Sequence, residues 1–388
     1  MSSDEELVSE LRSLVSDHLT PYYDTHFNLL RWIQANPGVA MEKIAYRLRH
    51  HLLYRACSWE IDSVHKQQRG SHPIHRFWPR SACGMSGVIP NCLVHVEQSG
   101  KVDFDGILDT FSIAEVMRAR IFDIEEMLSD VMRIEKETGE QASVLYVMDA
   151  DGIEYTKKLI DLVLGSLRAL SEFMADHYVE LVKYFVIVNV PPWAYALWMM
   201  VKPLLPERTR MKVRLLSSSN WRHEIHDLLD PSVGPSFWND ENHTEFKLPV
   251  DRPPPVPRKE ITDSCEKMEK LYVKAGQVHW MEYELEKGDA LAFHVTGSIT
   301  VELLSIGNAN FGFTIVHGDN EEEDDAFAMR QVYPLFSWMP GPLKVPIEDT
   351  IVVPSKGTYK LWFSNSRAWW SSLAIQHNVR VIKNQLTD

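Results

Sequence analysis

Cysteine is scarce in this chain, and so are long apolar runs and catalytic signatures. Four cysteines in 388 residues, Cys57, Cys83, Cys92 and Cys265, include no Cys-x-x-Cys pair. That spacing fits neither a disulfide scaffold nor a zinc framework and predicts a reduced, cytoplasmic protein. No apolar run reaches the roughly 18–20 residues that cross a bilayer. The N-terminus, Met1-Ser-Ser-Asp-Glu-Glu-Leu7, is acidic and lacks the basic-then-apolar order of a signal peptide. Ser2 stands where myristoylation needs glycine, and there is no C-terminal prenylation box. Basic charge is in deficit: the net charge is −14, which argues against nucleic acid as a partner. A local basic patch would still suffice for transient contact with a membrane surface.

The motifs of catalysis and metal binding are missing too. Gly84-Met-Ser-Gly-Val88 lacks the last glycine of a hydrolase elbow, and no glycine loop for phosphates is present. Asp149-Ala-Asp-Gly152 starts like a calcium loop but lacks the distal glutamate, so a strand-to-helix turn is the better reading. His50-His51 and the pair His72 and His75 have no partners at zinc spacing and are assigned to surface or loop positions. The run at 319–325, six acids in seven positions, reads as a solvated loop. The expectation is a non-enzymatic protein with no metal and no cofactor.

The order of patterns along the chain is clear. Residues 4–66 are helical in character, with Leu7, Leu11, Leu14, Val15 and Leu19 at helical spacing and a break at Asn36-Pro37-Gly38. From about residue 75 strands and helices alternate. Strands are expected at 93–96, 144–148 and 184–190, and helices at 112–137 and 155–173, which implies an α/β domain. The runs at 144–148 and 184–190 are apolar enough to be central strands covered on both faces. Arg252-Pro-Pro-Pro-Val-Pro257 is a stiff linker candidate. Beyond it, short strands at 279–285, 290–295, 300–306, 311–316, 350–353, 359–363 and 372–382 indicate a β-sandwich. The expected division is a helical cap at 1–68, an α/β domain at 69–248, a Pro-rich linker at 249–258 and an all-β domain at 259–388.

Residues 184–214 carry the most information. A β-branched strand meets Pro191-Pro192, an apolar helix-length segment follows, and then a basic cluster. On a helix, Trp193, Leu197, Met200 and Leu204 share one side, and Tyr195, Trp198, Met199 and Lys202 the other. Both sides are apolar, which suits either a buried core helix or a lid that faces a pocket inward and a membrane outward. Lys202, Arg208, Arg210, Lys212 and Arg214 stand against a single acid, Glu207, in a chain that is acidic overall. A core helix does not account for that inversion, whereas a phosphate headgroup or an anionic leaflet does. A two-chain lipid needs such a lid. At about 0.8 kcal/mol per methylene, some thirty methylenes in water would cost on the order of 20 kcal/mol.

At this point the sequence resembles a known family. Asp176-His-Tyr-Val-Glu180, Tyr184-Phe-Val-Ile-Val-Asn-Val-Pro191, Lys202-Pro-Leu-Leu205 and Thr209-Arg-Met-Lys212 are similar to the signature of the CRAL-TRIO lipid-binding proteins. Phe27-Asn-Leu-Leu-Arg-Trp32 resembles the signature of their helical cap, so the resemblance spans residues 23–247. Pro354-Ser-Lys-Gly-Thr-Tyr-Lys-Leu-Trp-Phe-Ser-Asn365 resembles a strand of GOLD (Golgi dynamics) domains, extending it over 258–384.

The resemblance implies that Glu180, Thr209 and Lys212 hold a phosphatidylinositol headgroup, and that the segment with Trp193, Tyr195, Leu197, Trp198, Met199 and Met200 is a gating helix. Two departures stand out. Asn36 and Pro37 occupy the place of a basic pair that also touches the headgroup, and Ser236-Phe-Trp-Asn239 replaces a glycine-rich turn. The functional expectation is a lipid carrier, peripherally associated with membranes, that encloses a phospholipid or another hydrophobic small molecule. The alternatives are a membrane-traffic adaptor with protein partners on the GOLD domain, and a carrier of a tocopherol-, retinoid- or squalene-like ligand. Strand alternation assigns Trp362, Trp369 and Trp370 to the sandwich core, with a partner-facing role as the other reading.

Overall fold

The computed structural model describes residues 2–205, 207–235, 238, 255–257, 268–297, 310–318, 324–341 and 343–384. The strand expected at 300–306, most of the acidic run at 319–325 and most of the Pro-rich segment lie outside the described residues. The N-terminal helices are α1 (Ser2–Leu14), α2 (His26–Gln34), α3 (Met41–Arg55) and the short α4 (Ile61–Val64). Thr25 caps α2, its hydroxyl accepting from the amide of Asn28 at 3.1 Å. The break between α2 and α3 closes at Gly38, whose φ of 73° is left-handed. Leu11 and Val15 are buried as the stripe predicts, while Leu14 is exposed.

The α/β part follows as β1 (Arg80–Met85), β2 (Cys92–Glu97), α5 (Phe104–Thr110), α6 (Ile113–Thr138), β3 (Ser143–Asp149), α7 (Lys157–Leu164) and α8 (Ser166–His177). Then come β4 (Val182–Val190), α9 (Pro192–Val201), α10 (Glu207–Lys212), β5 (Val213–Ser217) and α11 (Trp221–Glu224). The sheet order is β1-β2-β3-β4-β5, with β1 antiparallel to β2 and the other neighbours parallel. α6 is the longest helix described and starts on a full capping box, Ser112 with Glu115, and ends on left-handed Gly139. One face of the sheet packs Leu145, Val147, Val186 and Val188 on Trp221, Ile225, Leu229 and Trp238.

The helix expected over 155–173 is in fact two, α7 and α8, parted at Gly165. A Cβ there would lie 2.7 Å from the carbonyl of Asp161 and 3.2 Å from Pro340 Cβ of the C-terminal domain. β1 and β5 are strands that the apolar pattern did not reveal. Both are mostly half-exposed, so neither presents a continuous apolar run.

The C-terminal part is all-β: β6 (Glu269–Val273), β7 (Val278–Leu285), β8 (Ala290–Gly297), β9 (Phe311–Gly318), β10 (Arg330–Met339), β11 (Ile347–Val352), β12 (Gly357–Ser364) and β13 (Leu373–Ile382). They form two four-stranded antiparallel sheets, β10-β9-β12-β7 and β11-β8-β13-β6. Phe293, Phe313, Tyr333 and Phe363 form an aromatic core between them. Trp362 is buried, as alternation predicts, but Trp369 and Trp370 stand in solvent because they lie on the β12–β13 loop and not on a strand.

β10 packs on α3 and α8. Ser58 donates from its amide to the carbonyl of Val332 at 2.8 Å, and Trp59 and Phe173 meet Tyr333 and Phe336. His50, His51 and His177 are buried at this junction, which corrects the surface assignment of the first two. His51 and His177 share a hydrogen bond between their Nδ1 atoms at 3.3 Å. His50 Nδ1 lies 3.2 Å from the carbonyl of Phe327. His75 is buried as well, its Nε2 3.0 Å from the carbonyl of Ala119.

Candidate functional site

β4, α9, α10 and β5 form a crossover connection between two parallel strands. In an ordinary α/β fold the crossover helix packs directly on the sheet. Here α9 stands away from it, and a cavity of about 350 Å³ lies between. The sheet side is formed by Tyr146, Met148, Phe185, Ile187, Val213 and Leu215. Leu162, Leu167, Leu170 and Met174 of α7 and α8 close one flank, and Ile124 and Met127 of α6 another. Trp193, Ala194, Leu197, Trp198 and Val201 of α9 complete the enclosure. A water needs some 10–15 Å³ on this measure, so the space far exceeds a single trapped solvent site. Its lining is overwhelmingly apolar, which suits hydrocarbon.

The start of α9 is set by a small polar joint. Asn189 has φ 57°, a conformation that asparagine tolerates and β-branched residues do not. Its Nδ2 donates to Asp149 Oδ1 at 2.8 Å, and Trp238 Nε1 donates to the other oxygen at 2.7 Å. Asp149 therefore belongs to the joint that turns β4 into α9, and its carboxylate is taken up by these donors. Among the described residues no group of three or more His, Cys, Asp or Glu is placed to hold a metal.

The inward face of α9 differs from the expected one. Trp193, Leu197 and Trp198 all face the cavity, so Trp198 lies inward and not on the membrane side. Met200 and Leu204, grouped above with Trp193, are exposed. The inward stripe is centred between Ala194, Leu197 and Val201, and Met200 falls about 100° from that centre on a 3.6-residue helix. Met199 is 66% exposed, Met200 54% and Tyr195 37%, so the outer surface of α9 is greasy. Lys202 is exposed just beyond it.

Glu180, Arg208, Thr209 and Lys212 line one end of the same cavity, where β4 and β5 begin. The Lys212 ammonium donates to Glu180 Oε2 at 3.0 Å. Glu180 has φ 50°, placed by the turn between α8 and β4. Of the remaining basic residues, Arg210 pairs loosely with Glu207 at 3.5 Å. Arg214 lies outside, bonded to the carbonyls of Met211 and Val213 and resting over the Tyr184 ring.

The helical cap contributes no charge to the lining. Arg31 is buried in an ion pair with Glu135 of α6 and donates to the carbonyl of Ala142 at 2.8 Å. Asn36 is buried too, its Nδ2 on the carbonyl of Trp32 at 2.7 Å.

A second polar group in the cavity wall was not singled out from the sequence. Arg120 of α6 pairs with Glu97 at 2.9 Å and donates to the Tyr146 hydroxyl at 2.6 Å. Ser99 and Tyr146 also donate to Glu97. Burial pushes the Glu97 carboxyl up, but Arg120 and these donors outweigh it and hold it below its usual range. Glu97 ends β2, whereas Glu180 and Lys212 precede β4 and β5, so the two polar groups lie toward opposite ends of the parallel strands. No periodicity marks such a group; only the fold brings β2, β3 and α6 together.

Comparison with known proteins bears on the same residues. The model of the CRAL/TRIO domain matches residues 91–239, which hold the cavity walls from β2 to β5. Residues 254–387 match a C-terminal domain described as F28H7_8_C-like, and residues 1–64 match a domain of unknown function, DUF8435. A relative in Caenorhabditis elegans, the CRAL-TRIO domain-containing protein F28H7.8, is 26% identical over 78% of this chain and 76% of its own. Protein ctg-1 of the same organism is 21% identical over 98% of this chain and 97% of its own. In Arabidopsis thaliana, the phosphatidylinositol/phosphatidylcholine transfer protein SFH9 is 21% identical over 60% of this chain and 40% of its own. Among solved structures, Sfh5 superposes with a TM-score of 0.44 at 14% identity, covering 57% of this chain and 82% of that one. Residues 91–239 of the chain are thus a CRAL-TRIO domain by their match to that family's model.

Proposed function

We propose that this chain is a non-enzymatic carrier that encloses one lipid beneath α9 and exchanges it at a membrane surface. The observation that carries this reading is the cavity between α9 and the sheet, apolar over most of its wall and edged by Glu180, Thr209 and Lys212 at one end. The body takes acyl chains, whose burial drives uptake. Lysine supplies charge to a phosphate, threonine a hydrogen bond to a phosphate oxygen, and glutamate an acceptor for inositol hydroxyls. α9 acts as the gate: its outer methionines and Tyr195 meet the bilayer when it opens, and Lys202, Arg208 and Arg210 meet anionic headgroups. No helix among the described residues is long and apolar enough to cross a membrane, so contact is at the surface. The relatives named as phosphatidylinositol/phosphatidylcholine transfer proteins support the choice of a phospholipid.

The domain division at 1–68, 69–248, 249–258 and 259–388 belongs to the same proposal, with the last part as a GOLD-type domain. Val256 is buried beside Ile74, Phe77 and Trp78, so the end of the Pro-rich segment rests on the α/β domain.

A second reading, a carrier of a tocopherol-, retinoid- or squalene-like molecule, is favoured by one observation. Arg31 and Asn36 are engaged in buried contacts with α6 and with the carbonyl of Trp32, so the cap adds no charge to the Glu180, Thr209 and Lys212 end. Extraction and mass spectrometry of the lipid that co-purifies with the protein decides between the two.

A further inference from the structure

Trp369 and Trp370 are adjacent and stand 85% and 94% exposed on the loop between β12 and β13. Each tryptophan offers roughly 150–250 Å². Together they match the largest apolar patch of an ordinary monomer, a size that usually marks a contact surface.

The loop is built to hold them out. Asn365, buried at its base, donates from Nδ2 to the carbonyls of Val273 and Ser371, at 3.0 and 2.9 Å, so one side chain ties both ends. Its backbone amide donates to the Gln277 carbonyl at 2.8 Å, and its own carbonyl accepts from the amides of Gly276 and Ala368. Arg367 then fixes the loop to the α/β domain through an ion pair with Glu172 of α8. Ser171, the neighbour of Glu172, lines the cavity, and α10 packs on the same helix. The tryptophan loop is therefore anchored to the helix that also supports the basic end of the proposed lipid site.

We infer that the Trp369–Trp370 loop is a second membrane-inserting element, supplied by the C-terminal domain, which docks the protein on a bilayer interface. Tryptophan is the side chain that settles at the boundary between headgroups and acyl chains. A pair held out from its domain at 85% and 94% exposure suits that fluid boundary. Charge agrees: Lys202 and Arg208, near α10, are exposed cations in a chain of net charge −14, so an anionic leaflet is attracted locally while it is repelled overall. The inference goes beyond the carrier reading, because it assigns binding to a loop outside the cavity.

The test is a Trp369→Ala/Trp370→Ala double variant of the full chain. Its partition onto vesicles of phosphatidylcholine with one-third phosphatidylserine is measured by co-sedimentation. The expected result is at least a tenfold fall in partition, with unchanged melting temperature and unchanged co-purified lipid. Brominated phosphatidylcholine should quench wild-type fluorescence and quench the variant less. Partition and quenching equal to wild type would overturn the inference and direct attention to a protein partner. If the wild-type protein carries no lipid yet the variant still loses vesicle binding, the cavity reading fails and the loop assignment stands.

Discussion

Lys212 and Glu180 face each other across the edge of the cavity, ammonium to carboxylate at 3.0 Å. Both are partly exposed, so their attraction is worth at most about 1 kcal/mol to the fold. A bound phosphate would compete for the lysine and gain a stronger, charge-assisted bond. Lys212→Ala combined with Thr209→Ala should therefore change unfolding free energy by under about 1 kcal/mol. It should lower transfer of phosphatidylinositol between vesicles at least tenfold, with transfer of an uncharged lipid retained. Equal loss of both lipids would remove the headgroup role.

Asn189 tests the joint that starts the gate. Asn189→Ala loses the bond to Asp149 and places alanine at φ 57°, with an expected loss of about 1–3 kcal/mol. Asn189→Gly relieves the backbone part only and should lie nearer the wild type. Thermal melts of both variants, with lipid exchange rates, check the order. Glycine no better than alanine would mean that backbone strain is not what asparagine relieves.

Buried histidines make stability depend on pH. His50 is pushed down to about 4 by burial, and His51 and His177 are held well below 6.5 by burial, with Arg55 adding to both. All three stay neutral in the folded chain, while in the unfolded chain they gain protons below about pH 6.5. Their contribution is present above pH 6.5 and is lost as pH falls. Each costs up to about 1.4 kcal/mol per pH unit down to the folded value, or about 4 kcal/mol per unit for three. Urea unfolding at pH 7.0 and 5.5 measures the slope, and His177→Gln should reduce it by up to about 1.4 kcal/mol per pH unit. A flat profile would contradict the neutral cluster.

Arg55 ties the cap to the α/β domain. It is buried, bidentate to Glu125 at 2.8 and 3.0 Å, and Tyr178 donates to the same carboxylate at 2.7 Å. Arg55→Ala leaves Glu125 buried and uncompensated and should cost about 3–5 kcal/mol. Adding Glu125→Gln should recover part of it. Denaturant titration of the single and double variants checks this, and additive losses would mean that the two residues act independently.

The sequence made some of this legible and hid the rest for physical reasons. α6 could be read because Ser112, Glu115 and Gly139 mark its ends and its apolar residues recur at helical spacing. β4 and α9 could be read because an apolar strand runs into Pro191-Pro192. Glu180, Thr209 and Lys212 were singled out by their resemblance to a family pattern, and the fold places all three on the lining of one cavity. The Glu97, Arg120 and Tyr146 group was invisible because its members come from three elements. His50 and His51 looked like surface residues because nothing local foretells that α3 is covered by α8 and β10. Trp198 was turned outward in projection because the centre of a stripe on an all-apolar helix cannot be located without its neighbours. Trp369 and Trp370 defeated strand alternation by standing past the end of β12.

The central claim is that a lipid occupies the space between α9 and the sheet. Native mass spectrometry of the full chain as purified, followed by lipid extraction, tests it most directly. The account predicts about one lipid per chain, displaced on mixing with vesicles and exchanged more slowly when a cross-link holds α9 to α7. A chain that carries no lipid, and takes none up from vesicles, would contradict it.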